Sequence, residues 1–152
     1  MRRLGYRVIL GCDIAAHDMK EEVLRILLQK GYDVTDVGTS GPEKGDFSDA
    51  AEIVATGIQS GEYQKGVLIC GTGIGMCIAA NKFKGIRAGL AYDIFPAVLA
   101  SADNNTNVLC TGAWIMPSAE QCAKMIETWL LVQYTGRDVE GMARAAQIEQ
   151  KY

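Results

Sequence analysis

The sequence predicts an α/β fold: a three-layer αβα sandwich on a five-stranded parallel sheet, with a C-terminal helical tail, in one domain over residues 1–152. Three observations predict it. Short β-branched and leucine runs alternate with helical stripes along the chain, with no break in composition. Such repeated βα alternation is satisfied by an open parallel sheet covered by helices on both faces. A chain of 152 residues, 49% of them hydrophobic, is also long enough to bury one substantial core.

The elements follow in order. Arg7 to Leu10 is the first strand, and Met19, Val23, Leu24, Ile26, Leu27 and Leu28 give a helical stripe that Gly31 stops just after Lys30. Asp33 to Val37 is the second strand. A polar loop with Gly41-Pro42 and Gly45 leads into a helix from about Phe47 to Gln59, capped by Asp46 or Ser48. The third strand, Val67-Leu68-Ile69, ends at Cys70 and turns through Gly71, Gly73 and Gly75 into a helix. Ile86 to Leu90 is the fourth strand, a helix runs around Phe95 to Ala102, and Asn107 to Cys110 is the fifth strand. Ser118-Ala-Glu-Gln121 is a capping box for a helix that carries Met125, Ile126, Trp129 and Leu130 inward. A charged helix from Asp138 to Gln150 closes the chain.

In such folds ligands bind outside the carboxyl ends of the strands. Cys12-Asp13, Gly38-Thr39, Cys70 to Gly75, Ala91 to Asp93 and Thr111-Gly112 converge there. Cys70 has two readings. Free cysteines commonly serve as small buried hydrophobes. A thiol beside glycine-turn amides at a helix N-terminus, however, has its thiolate favoured and serves as a base or nucleophile near neutral pH. The turn is not a dinucleotide fingerprint, because Met76 stands where the last glycine belongs, and no Gly-Lys-Ser/Thr follows for a phosphate loop.

Composition narrows the function further. A formal charge of −3 with scattered basic residues gives no footprint for nucleic acid. The apolar run before Asp13 is too short for a secretory signal, and no uncharged stretch has the length to span a bilayer, so a cytoplasmic protein without membrane partners is expected. The five cysteines form an odd set without C-x-x-C spacing, which reads as free thiols of a reducing compartment. One histidine, His17, leaves no ordinary zinc site, and no metal or other cofactor is expected.

Gly11-Cys-Asp13 with Lys20, Asp46-Phe-Ser-Asp49, Ile69-Cys-Gly-Thr-Gly-Ile-Gly75, Ala79-Ala-Asn-Lys82, Gly85-Ile-Arg-Ala88 and Asn104-Asn-Thr-Asn-Val-Leu109 run nearly end to end. They resemble the ribose-5-phosphate isomerase B and galactose-6-phosphate isomerase family, which has a Rossmann-like fold. The resemblance implies an aldose–ketose isomerase, acting on a sugar or sugar phosphate as a homodimer or homotetramer with shared sites. It implies that Cys70 moves a proton between C1 and C2 and that the Thr72 hydroxyl assists. The amides of Gly71, Gly73, Ile74 and Gly75 and the side chain of Asn104 would stabilise the enediolate, Asn104 serving the partner's site. Asp13 would hold a substrate hydroxyl. Preorganised donors aimed at the developing oxyanion, with a base tuned near working pH, are what that chemistry needs.

The departures from the family pattern are specific. Ile14 and Asp103 stand where the family has histidines, the second of them the ring-opening group; Trp114 and Gly141 stand for arginines, and Asp138 for a histidine after the retained Arg137. The resemblance would put Asp103 beside the substrate, and ring opening would then fall to it, to water, or to nothing if the substrate is already open-chain. Arg137 and Arg144, seven apart, would share a helical face as a partial phosphate clamp. The departures leave four readings: an isomerase with a different substrate, one half of a hetero-oligomer, a non-catalytic sugar-binding or regulatory protein, and an ordinary ribose 5-phosphate isomerase that manages without the clamp.

The same residues also have plain structural readings. Asp13 reads equally as a helix cap, His17 as a solvent-facing helix residue rather than a replacement acid one turn from Ile14, Trp114 as core or interface, Asn104 as a loop amide and Arg87 as a surface charge. Cys12, Cys77, Cys110 and Cys122 read as packing residues.

Overall fold

The computed structural model describes residues 4–38 and 45–152. Five parallel strands, β1 (Val8–Cys12), β2 (Val34–Asp36), β3 (Lys65–Cys70), β4 (Ala88–Leu90) and β5 (Val108–Gly112), form one sheet in the order β2-β1-β3-β5-β4. The helices are α1 (His17–Gln29), α2 (Phe47–Gln59), α3 (Ile74–Ala80), α4 (Ile94–Ala102), α5 (Ala119–Leu131) and α6 (Val139–Lys151). The α/β three-layer fold is the one predicted.

The layers follow from strand alternation, which sends successive side chains to opposite faces. Val8, Leu10, Val67, Ile69 and Leu109 meet Val23 and Leu27 of α1, Ala97 of α4 and the Met125, Ile126 and Trp129 face of α5. Ile9, Leu68, Cys70, Val108 and Cys110 meet Val54 and Ala55 of α2 and Met76 and Ala80 of α3. Because β3 is covered on both faces, Val67 to Cys70 is an unbroken buried apolar run. Met125, Ile126, Trp129 and Leu130 of α5 are all buried, as predicted.

Element ends differ from expectation where pairing partners decide them. β1 runs on through Gly11 and Cys12 because these pair with Leu68 and Ile69, and β5 runs through Gly112 because it pairs with Cys70. β4 starts at Ala88, not Ile86, since the ladder with β5 begins at the Ala88–Val108 pair. A short 3-10 turn, Ile14–Ala16, precedes α1. Asp46 caps α2 in a capping box with Asp49, whereas Ser48 lies inside the helix and donates its amide to the cap. Thr39, Gly41 and Pro42 fall outside the described residues.

The winding reverses between β1 and β3: the chain leaves β1 for β2 on one side and returns past β1 to β3 on the other. A crevice opens at the carboxyl ends of strands that diverge in this way.

Candidate active site

Asp13 and Cys70 stand on either side of that reversal, on the neighbouring ends of β1 and β3. The Asp13 amide donates to the Ile69 carbonyl at 3.3 Å, tying the two ends together. Cys70 is 5% exposed, and its Sγ accepts a hydrogen bond from the Gly73 amide at 3.0 Å. That donor exists because Gly73 takes φ +80, a left-handed turn open to glycine and costly for residues with a Cβ. The Thr72 hydroxyl oxygen accepts from the Ile74 amide at 3.2 Å, which leaves its own proton free to be donated outward. Tyr92 fixes the turn from the side, its hydroxyl donating to the Thr72 carbonyl at 2.6 Å.

The glycine turn therefore spends part of its amide array on itself. The Gly73 and Ile74 amides serve Cys70 and Thr72, and the first bond of α3 runs from the Cys77 amide to the Gly73 carbonyl. The amides of Gly75 and Met76, in the first turn, have no intrahelical acceptor by helix geometry. Gly75 is half-buried beside the Phe47 ring, to which a Cβ would come within 3.1 Å. Gly71 is covered by Trp114: a Cβ there would lie 2.8 Å from the indole Cε3 and Cζ3. Trp114 is nonetheless 73% exposed, so it is neither core nor a free surface side chain but a flat apolar wall standing on the turn. The Trp114 amide donates to the Gly71 carbonyl and the Ala113 amide to the Cys70 carbonyl, which fixes the base of that wall.

Asp13 fills the capping role considered for it. Its Oδ1 accepts the Ala15 amide at 3.0 Å and caps the 3-10 turn. Burial pushes its carboxyl above the ordinary value, against the pull of the Ala15 amide. Lys20, 1% exposed, pairs with Asp36 at 2.6 Å, and Asp36 in turn receives the Gly38 amide at 2.8 Å. This pair, with its lysine buried, anchors the end of β2 beside the same crevice.

Asp103, Asn104 and Arg137 lie elsewhere. Asp103 ends α4 and Asn104 follows in the turn before β5, at the amino ends of the strands. A strand of five residues separates that edge from Cys70, roughly 16 Å of chain. Asn104 lines a cavity of ≈350 Å³ there with Asn81, Arg87, Met142 and Glu149, under α6. Asp103 forms an ion pair with Arg137. One chain thus groups Cys70, Thr72, Gly71 to Gly75 and Asp13 at one edge, and Asp103, Asn104 and Arg137 at the other.

Several sequence expectations change. Arg137 precedes α6, which begins at Val139, so it shares no helical face with Arg144. His17 is half-buried, with a buried Nδ1 that has no partner among the described residues, not solvent-facing. Arg87 is not a free surface charge, since its Nε donates to the Asn105 carbonyl at 2.6 Å. Cys12, Cys110 and Cys122 are buried packing residues, but Cys77 is half-buried and its thiol is brought down to about 7, chiefly by a hydrogen bond from Cys110. Nothing in the spacing of Cys77 and Cys110 announces this contact. Among the described residues no group of three or more His, Cys, Asp or Glu could hold a metal, and no helix is long and apolar enough to cross a membrane.

Comparison with known proteins bears on this geometry. The family described as ribose/galactose isomerase matches residues 8–148. The 4-deoxy-4-sulfo-D-erythrose isomerase of Clostridium sp. (strain MSTE9) is 43% identical over 130 residues, 85% of this chain and 81% of that protein. The D-erythrulose-4-phosphate isomerase of Pectobacterium atrosepticum is 39% identical, over 85% of each. The structure of Clostridium thermocellum ribose-5-phosphate isomerase B superposes with a TM-score of 0.91 at 34% identity, over 96% of this chain and 99% of that one.

Proposed function

Because the chain belongs to the ribose/galactose isomerase family, and so is an aldose–ketose isomerase, we propose that Cys70 is its base and that its substrate is a short sugar whose anionic end is not held by a phosphate clamp. The Cys70 thiolate takes the proton from C2 of the aldose. The electron pair of that C–H bond forms the C1–C2 double bond, and the carbonyl pair moves onto O1, giving a cis-enediolate. Thr72 relays the hydroxyl proton from O2 to O1, and the Cys70 thiol returns its proton to C1 to give the ketose. Donors aimed at the oxyanion supply much of the rate, and the amides of Gly75 and Met76 are those left for it. The unshared oxygen of Asp13 accepts a substrate hydroxyl.

The observation that carries the assignment of the base is the Gly73 amide aimed at the Cys70 sulfur at 3.0 Å, a hydrogen bond that strengthens when the sulfur is charged. Asn104, at the far edge of its own chain, reaches the enediolate of a second copy, so the working unit is a homodimer or a multiple of one with shared sites. The whole of residues 1–152 acts as one domain in it.

The anion follows from what surrounds the turn. Trp114 gives an apolar wall, and Arg137, which only a second copy would bring to the turn, is already paired with Asp103. A phosphate dianion needs paired cationic donors; among the described residues Arg137 is spent, and Trp114 and Gly141 carry no charge, whereas a sulfonate carries a single charge and needs fewer. One relative is named for a sulfonated tetrose. The test is kcat/KM for 4-deoxy-4-sulfo-D-erythrose beside D-erythrose 4-phosphate, in the wild type and in Trp114→Arg. The wild type should prefer the sulfonate, and the arginine should move the ratio at least tenfold towards phosphate. Equal use of both substrates by both proteins would refute the reading of Trp114.

A further inference from the structure

An aldose that closes into a ring must be opened before C2 can be deprotonated, and opening needs a proton donor at the ring oxygen besides the base at C2. The groups that surround the proposed site are poorly furnished for it. Asp13 caps the turn after β1 through the Ala15 amide, and its other oxygen is assigned above to accept a substrate hydroxyl. The Tyr92 hydroxyl is committed to the Thr72 carbonyl. On the edge that a second copy would contribute, Asp103 is held by Arg137, and Asn104 is an amide that does not titrate. His17, the one histidine in the chain, starts α1 with its Nδ1 turned into a buried position without a partner among the described residues.

A site with a base and an oxyanion cradle but, among the described residues, no ring-opening acid is complete for a sugar that never cyclises. Four-carbon aldoses close a five-membered ring only through the hydroxyl on C4. If C4 carries sulfur, or its oxygen is esterified, no such ring forms. The sugars for which the Clostridium and Pectobacterium relatives are named, 4-deoxy-4-sulfo-D-erythrose and D-erythrulose 4-phosphate, both lack a free C4 hydroxyl. Resting on the isomerase reading above, we infer that this protein takes anionic sugars that cannot close a ring, C4-blocked tetroses among them, and has no catalysed ring-opening step.

For a cyclising substrate such a protein draws only on the free-aldehyde fraction, and its apparent affinity falls by that fraction. The test compares D-erythrose 4-phosphate, 4-deoxy-4-sulfo-D-erythrose, D-ribose 5-phosphate and the 4-deoxy analogue of ribose 5-phosphate. The last has the length and phosphate of the pentose but no hydroxyl with which to close a ring. The expected kcat/KM is at least tenfold higher for the 4-deoxy pentose than for ribose 5-phosphate, and higher still for the tetroses. The rate with ribose 5-phosphate should also stop rising with enzyme concentration, because spontaneous ring opening then limits it. With the 4-deoxy analogue it should stay proportional to enzyme. Ribose 5-phosphate turned over as well as its 4-deoxy analogue, with no plateau, would overturn the inference and leave the isomerase reading standing. Tetroses turned over while both pentoses fail equally would also overturn it, since length and not ring closure would then decide. Failure of all four, with no exchange of the C2 proton, would instead remove the isomerase reading on which the inference rests.

Discussion

Gly73→Ala should cost stability and activity together, and the structure sets the size of both. Gly73 sits at φ +80, where an alanine costs about 1–2 kcal/mol. Its Cβ would also lie 2.8 Å from the backbone carbon and oxygen of Thr111 and 2.8 Å from Leu90 Cδ1, and a strand backbone gives way less readily than a side chain. Overpacking of that kind adds about 1–3 kcal/mol. The sum, roughly 2–5 kcal/mol, corresponds to a fall in Tm of roughly 4–20 °C for a chain of this size. The turn must shift to relieve the contact, and it carries the amide that meets Cys70 Sγ at 3.0 Å. A hydrogen bond to a charged group is worth about 1.5–3 kcal/mol, so its loss lowers kcat/KM roughly ten- to hundredfold. Gly31→Ala is the control: its φ is +87, but a Cβ there meets nothing within 4 Å, so only the conformational cost applies and activity is kept. The assays are thermal unfolding by circular dichroism and kcat/KM on a tetrose substrate. A Gly73→Ala protein that melts with Gly31→Ala and isomerises like the wild type would refute the reasoning.

Other outcomes follow from the same geometry. Lys65 is brought down to about 8, first by burial and then by the charge of Arg87, with its ammonium over the Trp129 ring at 4.2 Å. Between about pH 8 and the ordinary lysine value the unfolded chain binds more protons than the folded one, so stability rises with pH across that window and the penalty is complete below it. Lys65→Met should remove this rise, and a difference in unfolding free energy between wild type and variant that stays constant from pH 7 to 10.5 would contradict it. Shared sites make a separate demand. Cys70→Ala and Asn104→Ala chains, each nearly inactive alone, should recover about a quarter of the wild-type sites when refolded together in equal amounts, because half of the dimers are mixed and each of these holds one intact site. No recovery in a mixture shown to exchange subunits would mean that Asn104 does not serve a neighbouring Cys70.

Much of the fold is legible in the chain because its strongest signals are local. Val67 to Cys70 is apolar without alternation because α2 and α3 cover one face of β3 and the α1, α4 and α5 layer covers the other. α2 starts and stops where Asp46 and the apolar pattern put it. The strand order is not local. Nothing in βα alternation dictates that β5 pairs with β3 and pushes β4 to the edge, and so the sequence is silent on contacts made through that order. Trp114 on Gly71, Cys110 against Cys77 and the Tyr92 bond to Thr72 are of this kind. The Asp103–Arg137 pair joins residues 34 apart across the same region, and it turns a supposed clamp residue into a paired one. The glycine turn and its cysteine, in contrast, are contiguous, and their arrangement at the end of β3 is the expected one.

Proton transfer by Cys70 is the central claim, and its most direct measurement is hydrogen exchange during turnover in deuterium oxide. Wild-type protein and Cys70→Ala, both shown to be folded, are incubated with D-erythrose 4-phosphate and with 4-deoxy-4-sulfo-D-erythrose, and deuterium at C1 and C2 is followed by NMR. The wild type should introduce solvent deuterium at the carbon that receives the proton, and the alanine variant should neither isomerise nor exchange above background. If Cys70→Ala keeps more than about a tenth of the wild-type rate, less than about 1.4 kcal/mol of transition-state stabilisation depends on the thiol, and another group is the base.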